Sequence, residues 1–197
     1  MQINAGAVEA GLDIDARTLK RDAGKSSVRF AGELYAAYRG ELAELAPRMA
    51  VQRAKMLAEG YAADFSDRES EMLYMLVRAL RPQTIIEMSP CHGYSTNYIL
   101  SALTKNGSGR LDSYEIVTEI HGKPIEAAIR GNLIDTVDQS RFTLHIGDAS
   151  KGTFPECDFA FIDSNHEAWF AAWFMDALVP RAKVCMVHDI VIEQNGA

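Results

Sequence analysis

The sequence predicts an α/β fold, a doubly wound and mostly parallel sheet flanked by helices, and three observations carry that prediction. Beyond Pro82, short apolar runs alternate with segments of helical periodicity, and such alternation implies right-handed βαβ units. The first run, Thr84 to Met88, passes through a loop and Gly93 into a helix-like segment, the kind of strand-to-helix turn at which open α/β sheets bind ligands. Finally, 197 residues with 48% hydrophobic and 24% charged side chains suit one compact domain with a sizeable core.

Taken in order, residues 1–27 lack a strong period and read as a weakly ordered or loosely docked arm. Residues 28–81 read as helices. Phe30, Leu34, Tyr38, Leu42 and Leu45 recur every three or four positions, so an amphipathic helix is expected from Val28 to about Tyr61. Pro47 is expected to kink or divide it. Ser66 followed by Glu69 is a capping-box pattern, with Met72, Leu73, Leu76, Val77 and Leu80 as the buried face of the next helix and Pro82 as its stop.

Residues 82–197 form the sheet-bearing core. Strands are expected at Thr84 to Met88, Arg110 to Ile116, Phe142 to Ile146, Asp158 to Asp163 and Lys183 to Val187. Helical patterns lie between them at Tyr94 to Thr104, Ile120 to Leu133 and His166 to Leu178. Gly107-Ser108-Gly109 precedes a strand instead of following one, which makes it a turn and not a dinucleotide fingerprint. In the last helix, Trp169 with Trp173 and Phe170 with Phe174 share faces, the pattern of packing on a sheet or a subunit.

Charge and cysteine usage narrow the function classes. A net charge of -7 argues against a surface built to neutralise phosphates, so no nucleic acid is expected. No apolar stretch reaches the ~18 residues that span a bilayer, so no membrane is expected. Cys91, Cys157 and Cys185 are odd in number and widely spaced, which favours a reducing compartment and a cytoplasmic location.

The loop Glu87-Met88-Ser89-Pro90-Cys91-His92-Gly93-Tyr94-Ser95 resembles the first motif of class I S-adenosylmethionine-dependent methyltransferases, in the catechol and sugar O-methyltransferase-like group. The matching positions are Glu87, Ser89, Gly93, Tyr94 and Ser95. Ser89 departs from the glycine usual there, and its Cβ narrows the room for the cofactor's methionine part. The resemblance implies a Rossmann-like sheet of order 3-2-1-4-5 and S-adenosyl-L-methionine as cofactor. It also implies that Glu115, at the end of the second strand, accepts from the ribose hydroxyls, and that Asp148 and Ala149 meet the adenine.

Asp163 and Asp189 follow neighbouring parallel strands, where two anions would repel unless a cation lay between them. The resemblance makes these acids divalent-metal ligands, with magnesium the first choice and manganese the second, and makes His166, three residues past Asp163, the general base. It places Asp163 at the cofactor as well, as both a binding and a catalytic residue. Ile190 stands where the catechol enzymes have an asparagine ligand, so a third ligand falls to His188, Asn165 or water; His188 occupies the first position of the acid pair of the sugar-type enzymes. His145, one position inside its strand, reads as structural.

The resemblance implies a continuation past the fifth strand into a helix and an antiparallel two-strand hairpin that this sequence does not show, so either the chain is a shortened form or its sheet edge is covered by a partner, such as a second copy in a homodimer, or by the N-terminal arm. The expected function is metal-assisted O-methylation of a small hydroxylated molecule, sugar, polyketide or catechol-like. The alternative is a non-catalytic cofactor-binding or dimerisation module of the same fold. A nicotinamide-dependent enzyme is disfavoured because no Gly-x-Gly-x-x-Gly follows Glu87.

Overall fold

The computed structural model describes residues 27–61, 65–165 and 167–188. The arm expected at 1–27 therefore lies outside the described residues, apart from Ser27, as do His166 and Asp189.

Helix α1 (Ser27–Ala58) buries Leu34, Tyr38, Leu42, Leu45, Met49, Gln52 and Met56 in one stripe of three- and four-residue steps. The expectation that Pro47 would divide the helix is corrected, since the helix runs through it. The stripe continues on both sides of the proline, and burying it offsets the one backbone hydrogen bond, of order ~3 kcal/mol, that proline removes. Helix α2 (Asp67–Leu80) begins with the expected capping box, in which Ser66 accepts from the Glu69 amide and Glu69 accepts from the Ser66 amide. It ends at Arg81, whose left-handed backbone (φ 46°) turns the chain into Pro82.

Strand β1 (Thr84–Met88) lies at the centre of a five-stranded parallel sheet with β2 (Arg110–Glu115), β5 (Phe142–Ile146), β6 (Cys157–Ile162) and β7 (Ala182–Val187). The order is β5-β2-β1-β6-β7. The expected numbering 3-2-1-4-5 is corrected by two short strands, β3 (Glu119–Ile120) and β4 (Lys123–Pro124), that intervene in the chain as a separate antiparallel hairpin. They occupy the start of what the sequence presented as one helix from Ile120 to Leu133. Left-handed His121 (φ 50°) and Gly122 (φ 73°) form the hairpin's two-residue turn, and helix α4 (Ile125–Asn132) starts only after Pro124.

Side-chain alternation along the strands builds two cores. Ile85, Phe159 and Phe161 face α1, α2, helix α3 (Tyr94–Asn106) and α4, while Ile86, Met88, Ala160 and Ile162 face helix α5 (Ala168–Ala177). Phe170 and Phe174 are the buried side of α5, whereas Trp169 is 57% exposed. Helices on both faces leave the carboxyl ends of β1, β2, β6 and β7 as the open rim. Among the described residues no helix is long and apolar enough to cross a membrane.

Candidate functional site

A cavity of about 480 Å³ sits on that rim. Its wall is the β1–α3 loop with Tyr94 and Ser95, the β2 end (Glu115, Ile116 and Val117), Ile120 and Ile125 from the hairpin and α4, Asp163 to Asn165 after β6, His188 after β7, and Phe65.

The loop is held in an uncommon backbone conformation. Ser89 (φ 60°) and Cys91 (φ 52°) are both left-handed, as is Gly93 (φ 90°), the N-cap of α3. Non-glycine residues in this region cost energy and persist only where surroundings fix them. At Ser89 the fixing bonds are a backbone N–H donated to Tyr114 (2.9 Å) and a side-chain hydroxyl donated to Ser164 Oγ (2.7 Å). Gly93 has no side chain to cap the helix, so the first-turn N–H groups of α3, which have no intrahelical acceptor, are left for a ligand.

Glu87 lies beneath this loop and is not part of the cavity wall. It is fully buried. Ser95 Oγ donates to its Oε1 (2.7 Å), and Thr96 Oγ1 (3.0 Å) and Ser113 Oγ (2.5 Å) donate to its Oε2. Burial pushes its carboxyl above the usual range, with Asp163 adding in the same direction and the three hydroxyls opposing.

Glu115 does border the cavity. Its carboxylate accepts from the backbone N–H of Cys91 (3.1 Å) and of Val117 (3.0 Å), joining the β1 loop to the β2 end. Two such bonds leave acceptor capacity on both oxygens. Ile116 and Val117 beside it are exposed apolar side chains.

Asp148 and Ala149 border a separate, shallower depression of about 190 Å³ with Tyr114 and Phe154. Asp148 accepts from the Ser150 amide and hydroxyl, and these bonds with Lys151 hold its carboxyl below the usual range. It caps its own turn. The two sites adjoin, because Gly147 donates its N–H to the Glu115 carbonyl at 2.8 Å. His145, expected to be structural, stacks on Tyr114, lies 2.8 Å from Asp112 and lines the same depression.

Asp163 and His188 meet where β6 and β7 end. His188 Nδ1 is 3.1 Å from Asp163 Oδ1, and Nε2 is 3.2 Å from Oε1 of Glu69 on α2. Burial raises the Glu69 carboxyl, but hydrogen bonds from Ser66 and His188 bring it below the usual range. With both ring nitrogens turned to carboxylates, His188 is not presented as a metal ligand. No three His, Cys, Asp or Glu side chains converge on a metal position among the described residues. The described donors therefore do not fit a cation by themselves.

Sequence reasoning missed Phe65, Glu69 as a neighbour of His188, and the pair Cys91 and His92. His92 Nδ1 lies 3.1 Å from Cys91 Sγ, and its ring stacks on Tyr61, which also meets His121 edge-on. The adjacent Cys91 and His92 directly before Gly93 were the signal available.

Residues 90–190 match the sequence model of a family described as a methyltransferase domain. Among solved structures, the O-methyltransferase from Bacillus cereus in complex with SAH shares 20% identity, with 66% of this chain and 61% of that one covered and a TM-score of 0.51. TomG from Streptomyces achromogenes, an O-methyltransferase involved in tomaymycin synthesis and solved with SAM, shares 19%, covering 66% and 60%, with a TM-score of 0.50. Cofactor-bound Rv0187 from MTB shares 21%, covering 64% and 58%, with a TM-score of 0.50. At these identities the likeness is one of fold, and the chain spans about three-fifths of the length of each of these structures. No curated protein matches it.

Proposed function

The chain belongs to this methyltransferase-domain family, and from that premise we propose that it is an S-adenosylmethionine-dependent methyltransferase that methylates a hydroxyl on a small molecule, sugar, polyketide or catechol-like. The observation that carries the reading is the juxtaposition around one cavity of the left-handed Ser89–Gly93 loop, the uncapped start of α3 and the Glu115 carboxylate.

These groups suit the cofactor. The first-turn amides of α3 match a carboxylate, Glu115 matches paired ribose hydroxyls, and Ile116 with Val117 offers apolar surface to a flat ring. When bound, the cofactor supplies a methyl group on a sulfonium. The protein's part is positioning: Asp163 and His188, on the same cavity wall, border the acceptor side and orient its hydroxyl, so that proximity supplies much of the acceleration. His166 is the proposed proton acceptor by its place three residues past Asp163. Asp148 and Ala149 are proposed at the adenine end, through the depression that adjoins Glu115.

A magnesium or manganese ion would be held by Asp163 together with Asp189 and would supply charge to bind the acceptor oxygen. Acceptor identity, a homodimer covering the β7 edge and a cytoplasmic setting belong to the same proposal. The test is calorimetry with S-adenosylhomocysteine followed by methyl transfer to a panel of hydroxylated compounds, with and without EDTA. Micromolar binding and transfer to a hydroxyl are expected; no detectable binding refutes the reading. Activity lost on chelation and restored by magnesium supports the metal, and activity indifferent to EDTA removes it.

A further inference from the structure

We propose that Glu69 is a positioning residue of the acceptor side, holding the His188 ring against Asp163; what that ring borders rests on the methyltransferase reading above. The two oxygens of Glu69 have different partners. Oε2 accepts from the Ser66 amide (3.0 Å) and hydroxyl (2.6 Å), which completes the cap of α2. Oε1 is turned to His188 Nε2, 119 residues away in sequence.

Capping does not explain that second contact. A capping box needs one acceptor at this position, and glutamine serves there as well as glutamate. A glutamine, however, has a single carbonyl oxygen. It can accept from Ser66 or from His188, and whichever pair it keeps, its NH₂ faces the other. Only a carboxylate accepts from Ser66 and from the His188 ring at once.

The partner is equally constrained. His188 donates its backbone N–H to the Ile162 carbonyl (2.9 Å), fixing the β7 end to the β6 end. Its side chain is only 9% exposed, packed edge-on against Phe65, with Nδ1 toward Asp163. Glu69, His188 and Asp163 thus form one line from the start of α2 to the acid on the cavity wall. Helix α2 contributes to the site through this line, and its register sets where the imidazole stands.

Three variants of the full chain test this. Glu69→Gln is expected to bind S-adenosylhomocysteine as the parent does, because the Ser89–Ser95 loop and Glu115 are untouched, while kcat falls at least about tenfold, the scale seen when an orienting partner is removed. Ser66→Ala weakens the same helix cap without removing the carboxylate, and its kcat should stay within about twofold. The ¹⁵N signals of the His188 ring, identified by their loss in His188→Asn, should shift at Nε2 in Glu69→Gln. Unchanged ring signals, or a kcat loss in Glu69→Gln no larger than in Ser66→Ala, overturn the proposal. If the parent methylates no acceptor, the functional reading fails instead, and the ring signals alone decide whether Glu69 positions His188.

Discussion

Glu87 and Ser113 are register partners on neighbouring parallel strands, and the Ser113 hydroxyl donates to the Glu87 carboxylate at 2.5 Å. With Ser95 and Thr96 donating from the first turn of α3, the acid ties β1, β2 and α3 together under the cavity.

Glu87→Ala should therefore cost about 2–4 kcal/mol of stability, because three buried hydroxyls lose their common acceptor and a cavity remains. Ser113→Ala removes one donor and should cost about 1 kcal/mol. Urea denaturation measures both. Equal costs for the two variants would show that the carboxylate is not the hub.

The same burial gives Glu87 a pH signature. Desolvation raises its carboxyl above the unfolded value, so the folded state holds the proton more tightly than the unfolded chain. Its contribution is fully present below the unfolded pKa of about 4.3 and is lost as pH rises through the raised folded value. Glu87→Gln cannot ionise. The stability of the variant relative to the parent should thus improve from about pH 4 up to the raised folded value and level off above it, and a difference that is flat throughout would contradict the raised value.

These roles mark how far the sequence was legible. Strand ends and the Ser66–Glu69 cap follow from local patterns, and the approach of Asp163 to the end of β7 follows from β6 and β7 being neighbours, although Asp189, the residue expected beside it, lies outside the described residues. What local pattern does not reveal is direction. Glu87 stands at the strand end where a ligand acid belongs, but strand alternation sends it with Ile85 toward α3, and Ser95, Thr96 and Ser113 are visible as its partners only once register is known. The β3–β4 hairpin is two residues per strand, too short for a period. The contact of Glu69 with His188 depends on how α2 docks, which no spacing encodes.

Ser89 allows two effects to be separated. A left-handed non-glycine residue costs roughly 1 kcal/mol, and the bond from Ser89 Oγ to Ser164 returns a similar amount. Ser89→Gly removes both and should leave stability within about 1 kcal/mol of the parent, whereas Ser89→Ala keeps the strain, loses the bond and should cost about 1 kcal/mol. Thermal melts distinguish them. Cofactor affinity should be no weaker in Ser89→Gly, since the change adds room and the backbone N–H of residue 89 still donates to the Tyr114 carbonyl.

Two glycines at φ +90° should respond differently to alanine, because different atoms await the new Cβ. At Gly109 that carbon would stand 2.4 Å from the Pro82 carbonyl oxygen and 2.8 Å from Leu103 Cδ2. Backbone cannot yield as a side-chain tip can, so Gly109→Ala should lose more than about 3 kcal/mol or fail to fold, although it lies at the opposite end of the sheet from the cavity. At Gly93 the nearest atom is Ile129 Cγ2 at 3.1 Å, with the Ile129 carbonyl oxygen at 3.5 Å. The isoleucine, itself fully buried, must give by a few tenths of an ångström, and the left-handed backbone adds about 1–2 kcal/mol. Gly93 is also the N-cap of α3 on the cavity rim, so relaxation of that strain moves the amides proposed to meet the cofactor. Gly93→Ala should fold, melt a few degrees lower and bind S-adenosylhomocysteine about tenfold or more weakly. Calorimetry on the folded variant checks this, and parental affinity at a lowered melting temperature would detach the α3 amides from the cofactor.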